Sequence, residues 1–229
     1  SVVLNLALQA AEELGMIKAG WNGFNVLHTA AARVGGLDLG FVPGEGGRDV
    51  AGIMAGAQSG AIKMVYLLGA DEIDTQALGE AFVIYQGHHG DAAAHRADVI
   101  LPGAAYTEKN ATYVNTEGRV QLGRRAIFPP GEAREDWTII RALSDILGKT
   151  LPYDDLKAVR AKLVETNANF LNIDQTMPAE WRDFGAKGSV SDTPFASPIY
   201  NFYMTDPISR ASETMAHCSE VLGKSDRGL

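Results

Sequence analysis

The sequence is poorest in cysteine, because its 229 residues include only Cys218. A single thiol cannot form a disulfide within the chain. It is also too few for a zinc ribbon or an ordinary iron–sulfur site. On a helix the neighbouring His217 would point elsewhere, so a packed thiol is favoured over an activated nucleophile.

Positive charge and long apolar runs are also scarce. The chain has 20 Lys and Arg against 28 Asp and Glu, a net charge of −8, which excludes the basic footprint of a nucleic-acid-binding protein. The longest apolar stretch, residues 51–70, is interrupted by Gln58, Ser59 and Lys63. It predicts a helix, a turn and a strand, so no direct membrane insertion is expected.

The start of the chain has two missing features. No charged segment precedes an apolar core and a cleavage site, so no signal peptide is visible. There is no initiator Met, and the sequence opens directly on the apolar run SVVLNLALQAA. This abrupt opening suggests a fragment of a longer protein.

Near-continuous apolar runs, typical of strands buried on both faces of a parallel sheet, occur in the middle of the chain. Short segments that could be helical separate them, a pattern of βαβ units. The predicted fold class is therefore α/β, a truncated doubly wound parallel sheet. Its predicted strands are Phe24–Leu27, Lys63–Leu68, Phe82–Tyr85 and Asp98–Leu101. Because the chain opens on a helix, a sheet edge or face should be exposed.

Helical periodicity and glycine or proline punctuation set the remaining boundaries. An α/β domain is predicted over residues 1–150, and a helical and irregular extension over 151–229. In the extension we expect Ile199, Phe202 and Tyr203 to anchor an extended segment against the core. A last helix should span Ser209–Val221, with Asp206 near its start.

Acidic residues follow the strand at Lys63–Leu68. The carboxyl ends of strands in open α/β sheets are where ligands bind, so Asp71 or Glu72 could accept a ribose hydroxyl. Asp71 could equally cap the next short helix. Both interpretations stay open.

A cluster of possible metal ligands lies between the next two strands. On a helix over residues 88–96, His88, Asp91 and His95 would share a face and could hold a metal. The favoured alternative places Asp91 near a helix start and the histidines at the end of a parallel strand, all partly solvated.

The glycine-rich stretch PGEGGRD, Pro43–Asp49, opens a helix as phosphate-binding loops do. Its spacing fits neither the dinucleotide nor the P-loop pattern, and no strand runs directly into it. A plain loop is the favoured interpretation.

The polar ribbon after the last predicted strand carries a resemblance. The stretch HRADVILPGAAYTEKNATYVNTEGRVQ resembles the molybdopterin oxidoreductase superfamily, in which a strand ending in Leu-Pro precedes such a ribbon. The matching residues are Ala97, Asp98, Leu101, Pro102, Glu108, Lys109, Thr112, Tyr113, Asn115, Glu117, Gly118, Arg119 and Gln121. Glu108, Asn115 and Arg119 are candidate cofactor-binding residues. The favoured alternative is a retained network, in which Arg119 pairs with Glu108 or Glu117 and Asn115 binds backbone.

Three further stretches, Asn25–Phe41, Pro129–Leu156 and Asn201–Cys218, resemble the family of the large iron–sulfur subunit of NADH–quinone oxidoreductase, respiratory complex I. The resemblance implies that the iron–sulfur clusters belong to a cysteine-rich amino-terminal part that this chain lacks. It also implies a domain generally regarded as having lost its pterin. Gly69-Ala70-Asp71-Glu72 stands where catalytic relatives tend to have an Asn-Pro-like turn, and acids there would repel a pyrophosphate.

The expected role is a structural and assembly portion with no redox centre of its own. Its expected partners are other peripheral-arm subunits, on the cytoplasmic side of the bacterial inner membrane or the matrix side of the mitochondrial one. The alternative is a fragment that retains a pterin or nucleotide site at the carboxyl edge of its sheet.

Overall fold

The structure, a computed structural model, describes residues 1–30, 33–178 and 184–223. Contacts group the chain into two compact units, each assembled from three sequence segments. Unit 1 comprises Ser1–Phe41, Thr112–Leu122 and Ala161–Pro198; unit 2 comprises Val42–Ala111, Gly123–Arg160 and Ile199–Leu229. The predicted boundary at residue 150 stays a prediction.

Helices and short strands follow one another along the described residues. The helices are α1 (Val2–Glu13), α2 (Arg33–Asp38), α3 (Val50–Gln58), α4 (Ala92–Arg96), α5 (Asp136–Ile146), α6 (Leu156–Thr166), α7 (Pro207–Arg210) and α8 (Glu213–Val221). The strands are β1 (Ile17–Lys18), β2 (Trp21–Asn22), β3 (Met64–Leu68), β4 (Phe82–Gly87), β5 (Val99–Pro102), β6 (Ala111–Val114) and β7 (Val120–Gly123). Two 3₁₀ turns span Thr75–Leu78 and Ala168–Leu171. Among the described residues, no helix is long and apolar enough to cross a membrane.

Unit 2 is built on a parallel three-stranded sheet in the order β3-β4-β5. Leu67 pairs with Tyr85, and both side chains are buried on one face. The same face carries Val83 and packs against Leu78, and both residues are 0% exposed. Ala57 of α3 belongs to the same core. The predicted parallel α/β arrangement is confirmed for these three strands.

The other face of this sheet is apolar and open at its amino-terminal end, whereas Gln86 on the same face is buried. Met64 pairs with Phe82, and Ile84 pairs with Val99, so these side chains lie on one face. Met64 is 58% exposed and Phe82 46%. Parallel sheets are normally covered on both faces, so Met64 and Phe82 are more exposed than is usual for this type of sheet.

Unit 1 contains its own small core at the β6–β7 hairpin. Val114 and Val120 are buried against Phe170 of the second 3₁₀ turn, and Leu163 of α6 packs on them. A parallel bridge joins Val120 to Ile173. The part of the polar ribbon in unit 1 is therefore a hairpin with one buried side.

The strand predicted at Phe24–Leu27 is wrong. Those residues lie outside any strand, and Leu27 is 83% exposed. The preceding residues instead form a hairpin in which Lys18 pairs with Trp21, and Gly20 supplies the positive φ of +77° that the turn needs. Phe24 packs on the ring of Phe184 at a centroid distance of 5.5 Å, so a short apolar run here is partly covered without pairing as a strand.

The carboxyl-terminal prediction holds in part. Asp206 caps a helix as predicted, but the predicted helix Ser209–Val221 is divided into α7 and α8, and Ser212 caps the second. The sequence predicts that Ile199, Phe202 and Tyr203 anchor this segment. For Phe202 the prediction is wrong, because its side chain is 74% exposed. The segment is held by polar contacts of Asn201 instead, which donates to Ser219 Oγ at 2.6 Å.

Candidate functional site

The carboxyl ends of β3 and β4 in unit 2 carry a connected polar network. Gln86 is completely buried and accepts a hydrogen bond from the Tyr66 hydroxyl. Its amide nitrogen donates to Asp136 Oδ1 at 2.9 Å, and Lys109 forms an ion pair with Asp136 Oδ2. Burial, and secondarily the Asp136 charge, raises the pKa of Tyr66, which keeps its proton available for Gln86.

The start of α5 supports this network. Asp136 is the first residue of α5, where its carboxylate also meets the positive end of the helix dipole. Glu135 accepts from the backbone N–H of Asn110 at 3.2 Å and from Trp137 Nε1 at 2.8 Å. Within unit 2, side chains of the chain itself therefore join the sheet edge, the segment at Lys109 and Asn110, and α5.

A second polar group follows β4 in the same unit. Arg210 Nε donates to Asp91 Oδ2 at 2.5 Å, and both side chains are mostly buried. Tyr85 donates to the carbonyl oxygen of His89 at 3.4 Å. Burial, and then the Asp71 carboxylate, raises the pKa of Tyr85, so this hydroxyl stays protonated. Within the described residues, Asp71 Oδ1 and Arg210 Nη2 are buried without a hydrogen-bond partner.

The candidate metal ligands do not converge. Helix α4 begins at Ala92 with Asp91 as its N-cap, so His88 precedes the helix. The prediction that His88, Asp91 and His95 share a helix face is therefore wrong. His88 and His89 contact each other through their Nδ1 atoms at 2.7 Å. Partial burial, and then His89, lowers the pKa of His88, an effect limited by the exposure of its side chain. In the described part of the chain, no three His, Cys, Asp or Glu side chains are arranged to hold a metal.

The two acidic candidates after β3 differ in how far their side chains are buried. Asp71 is partly buried near Tyr85, whereas Glu72 is exposed. The proposed capping role of Asp71 is wrong, because Asp74 caps the 3₁₀ turn and accepts from Gln76 N–H at 3.0 Å.

The candidate ribbon residues are occupied by local structure. Asn115 Oδ1 accepts from the N–H groups of Glu117 and Arg119, both at 3.0 Å, and thereby closes the hairpin turn. Arg119 pairs with Glu117 at 3.4 Å on the surface. Glu108 accepts from Ala105 N–H at 2.9 Å in unit 2. The sequence left open whether Arg119 pairs with Glu108 or with Glu117, and the structure shows the pair with Glu117.

The glycine-rich loop at Pro43–Asp49 behaves as a plain loop. Gly47 N–H is already bound to the Gly44 carbonyl at 2.8 Å. Asp49 caps α3 by accepting from Gly52 N–H at 2.8 Å. A carboxylate at this helix start occupies the position an incoming phosphate would need.

A surface cavity of about 450 Å³ lies at the opposite, amino-terminal edge of the sheet. Lys63, Phe82, Arg96 and Asp98 are among the residues that line it. Arg96 donates to the carbonyls of Gly79 and Ala81, and Asp98 accepts from Val83 N–H at 2.7 Å. These side chains hold the strand starts in place, at the edge where open α/β sheets do not bind their ligands.

The carboxyl edge offers little unpaired positive charge to an anionic pterin cofactor. A pyrophosphate needs unpaired cations or free N–H groups. The two cations near this edge, Lys109 and Arg210, already form ion pairs with Asp136 and Asp91. On these two side chains, only Arg210 Nη2 is a buried donor without a partner in the described part of the chain. The buried Asp71 oxygen adds negative charge beside Tyr85.

Sequence reasoning missed Gln86, Asp136 and Tyr66 as the centre of this edge. Gln86 and Asp136 are 50 residues apart in sequence, so no local spacing connects them. One signal was available: a glutamine within an otherwise apolar buried strand needs a hydrogen-bonding partner.

Comparison with known proteins identifies two families in the sequence. Residues 2–146 match the family described as molybdopterin oxidoreductase. Residues 172–218 match the family described as the C-terminal part of the G subunit of NADH-ubiquinone oxidoreductase.

Individual relatives agree with these matches. The chain is 49% identical, over 89% of its length, to the mitochondrial NADH-ubiquinone oxidoreductase 78 kDa subunit of Candida albicans. It is 40% identical, over 99% of its length, to the G subunit of NADH-quinone oxidoreductase from Rickettsia bellii. It spans 28% of the first relative and 32% of the second. Among solved structures, acetylene hydratase from Pelobacter acetylenicus is similar over 54% of this chain and 19% of its own, with 19% identity and a TM-score of 0.41.

Proposed function

The chain belongs to the molybdopterin oxidoreductase family, and from that membership we propose that it is a structural part of the large iron–sulfur subunit of a complex I-type enzyme. Such an enzyme transfers electrons from NADH to quinone. The observation that carries the proposal is the pair of matches, to this family over residues 2–146 and to the C-terminal family of the G subunit over residues 172–218.

In this proposal the chain holds no redox centre of its own. Clusters held by thiolates need several cysteines, and the chain has one. The carboxyl edge of the sheet favours a structural role, because the Gln86 amide and the Asp136 carboxylate are both engaged by neighbours. Iron–sulfur clusters would then belong to other parts of the relatives, of which the chain spans about a third.

The partners proposed are other peripheral-arm subunits of the same complex. The open apolar face of the unit 2 sheet supports this, because Met64 and Phe82 remain half exposed where parallel sheets are usually covered. The proposed location is the cytoplasmic side of a bacterial inner membrane or the matrix side of a mitochondrial one, after the relatives in Rickettsia bellii and Candida albicans.

A second candidate function is a retained pterin or nucleotide site at the carboxyl edge. Family membership favours it, and so do the buried Asp71 Oδ1 and Arg210 Nη2 atoms that lack partners among the described residues. The acid beside Tyr85 weighs against it, since it would repel a phosphate.

Co-purification of the assembled complex tests the structural role. The native polypeptide that carries this sequence, affinity-tagged in its own cells, should co-purify with NADH-oxidising activity. Core disruption by Leu78→Ala should reduce the assembled complex, whereas the surface control Leu147→Ala should not, because Leu78 is 0% and Leu147 69% exposed. A tagged polypeptide that purifies alone, without NADH oxidation, would contradict the proposal.

A further inference from the structure

A basic and apolar surface lies on the segment that follows β7 in unit 2. Arg124, Arg125, Ile127 and Phe128 are all exposed, Ile127 by 59% and Phe128 by 78%. We call these four residues the Arg124–Phe128 surface. Arginine and aromatic side chains are enriched at the centres of protein–protein interfaces.

The backbone presents this surface in one fixed conformation. Arg125 N–H donates to Asn110 Oδ1 at 3.2 Å. The Thr107 carbonyl accepts from the N–H groups of Ala126 and Ile127 at 2.8 and 3.3 Å. Pro129 and Pro130 restrict the chain immediately after Phe128. A segment that is already ordered loses little conformational entropy on binding.

Arg124 and Arg125 are adjacent arginines whose charge is not balanced as it is in five other arginines, although Arg33, Arg48 and Arg160 also lack an ion pair among the described residues. Five arginines form ion pairs with a carboxylate of the same unit: Arg96 with Asp98, Arg119 with Glu117, Arg134 with Glu132, Arg141 with Asp154, and Arg210 with Asp91. Neither Arg124 nor Arg125 has such a partner in the described part of the chain. Arg125 instead lies over the Phe128 ring, with its guanidinium carbon 4.4 Å from the ring centroid.

The charge excess of the chain makes this lack of pairing informative. With 28 acidic and 20 basic side chains, an arginine has many carboxylates available within its own sequence. Two adjacent guanidinium groups left without one offer donors to the carboxylates of another molecule, and the arginine fork binds carboxylates in a bidentate way.

We propose that the Arg124–Phe128 surface docks an acidic segment of a neighbouring protein subunit, which also carries an apolar side chain that packs on Ile127 and Phe128. The proposal deepens the proposed function and rests on it, because the neighbour is then another subunit of the same complex. Local charge and apolar surface together select this occupant: the two exposed guanidinium groups match carboxylates, and the exposed Ile127 and Phe128 match an apolar side chain.

Site-directed photo-crosslinking tests the occupant. A benzophenone amino acid replaces Phe128 in the tagged native polypeptide, in its own cells, and the cross-linked peptide is sequenced by mass spectrometry. We expect a subunit peptide with more Asp and Glu than Lys and Arg. The matched control places the same amino acid at Leu147, which is 69% exposed at the end of α5 in the same unit. A cross-link from position 128 to a basic peptide, to lipid or to nucleic acid, or none above the control, would overturn the proposal.

Charge reversal tests the arginines directly. The double variant Arg124→Glu/Arg125→Glu, combined with the cross-linker at position 128, should reduce the cross-linked product by roughly tenfold. The charge-matched control Lys149→Glu/Lys157→Glu, at two exposed lysines of the same unit, should leave it unchanged. Raising NaCl from about 50 to about 300 mM should weaken the wild-type cross-link, because exposed charges are screened. Equal product from both double variants would overturn the role of the arginines.

The two proposals fail in different ways. If the unaltered tagged polypeptide brings down no NADH-oxidising complex, the proposed function fails. If it brings down the complex, but position 128 gives no acidic cross-link and the arginine reversal changes nothing, only the docking surface fails.

Discussion

Replacing Gln86 by Leu tests whether the polar network at the carboxyl edge of the sheet stabilises the fold. The Gln86 side chain is 0% exposed and connects Tyr66 on β3 with Asp136 on α5. Leucine has a similar volume but no polar atom. The Tyr66 hydroxyl and Asp136 Oδ1 would each lose a hydrogen-bonding partner in a partly buried place.

The size of the effect follows from these two losses. Each partner left without its hydrogen bond costs about 1–2 kcal/mol, and burying leucine in place of an amide recovers about 1 kcal/mol. Lys109 still holds Asp136 through Oδ2, which limits the penalty there. The free energy of unfolding should therefore fall by about 1–3 kcal/mol, a decrease in Tm of about 2–10 °C for a chain of this size.

Thermal and urea unfolding followed by circular dichroism measure this change. The control Gln76→Leu alters an exposed glutamine in the 3₁₀ turn and should stay within about 0.5 kcal/mol of the wild type. Gln86→Glu should be the most harmful variant near neutral pH, because it places a second carboxylate beside Asp136. If Gln86→Leu unfolds together with the wild type, the network does not support the fold and the reasoning is refuted.

Three further changes test other parts of the structure. Leu78→Ala should cost about 2–5 kcal/mol by opening a cavity in the unit 2 core, and a wild-type Tm for this variant would show that the core is wrongly placed. Asn115→Ala should cost about 1–2 kcal/mol in chemical denaturation, because the N–H groups of Glu117 and Arg119 lose their acceptor; Arg119→Ala, which removes an exposed pair, should cost less than about 0.5 kcal/mol. Asp206→Ala removes the capping box of α7 and should cost about 1 kcal/mol at neutral pH. The Ser209 hydroxyl lowers the pKa of Asp206 below its ordinary value of 3.8. The stabilisation of α7 by the Asp206 carboxylate is therefore complete above the pKa of Asp206 in the unfolded chain, and it is lost as the pH falls through the lower pKa of Asp206 in the folded protein. In strong acid, hydrogen exchange in α7 should be equal for Asp206→Ala and the wild type.

The central sheet could be predicted because its strands are near-continuous apolar runs. β3, β4 and β5 lie within one or two residues of their predicted bounds. The strand predicted at Phe24–Leu27 is absent: Phe24 packs on the Phe184 ring rather than in a sheet, and Leu27 is 83% exposed. Periodicity in sequence reports what a segment could bury, whereas the fold decides what it does bury.

The candidate site was only partly predictable for a similar reason. The favoured alternative for the histidine cluster, with Asp91 near a helix start, is the one that the structure shows: Asp91 is the N-cap of α4, and His88 precedes the helix. The Gln86–Asp136 contact, in contrast, depends on how α5 returns to the sheet edge. No local pattern of residues encodes that return.

Metal and pterin analysis of the tagged native polypeptide is the measurement that tests the central claim most directly. The claim is that this chain supports a redox complex without holding a cofactor at the carboxyl edge of its sheet. With molybdate and tungstate supplied to the cells, we expect well below about 0.1 molybdenum or tungsten per polypeptide and no fluorescent pterin oxidation product, while NADH oxidation co-purifies. About one molybdenum or tungsten with one pterin per polypeptide, lost together on Lys109→Ala, would contradict the claim and make that edge a working cofactor site.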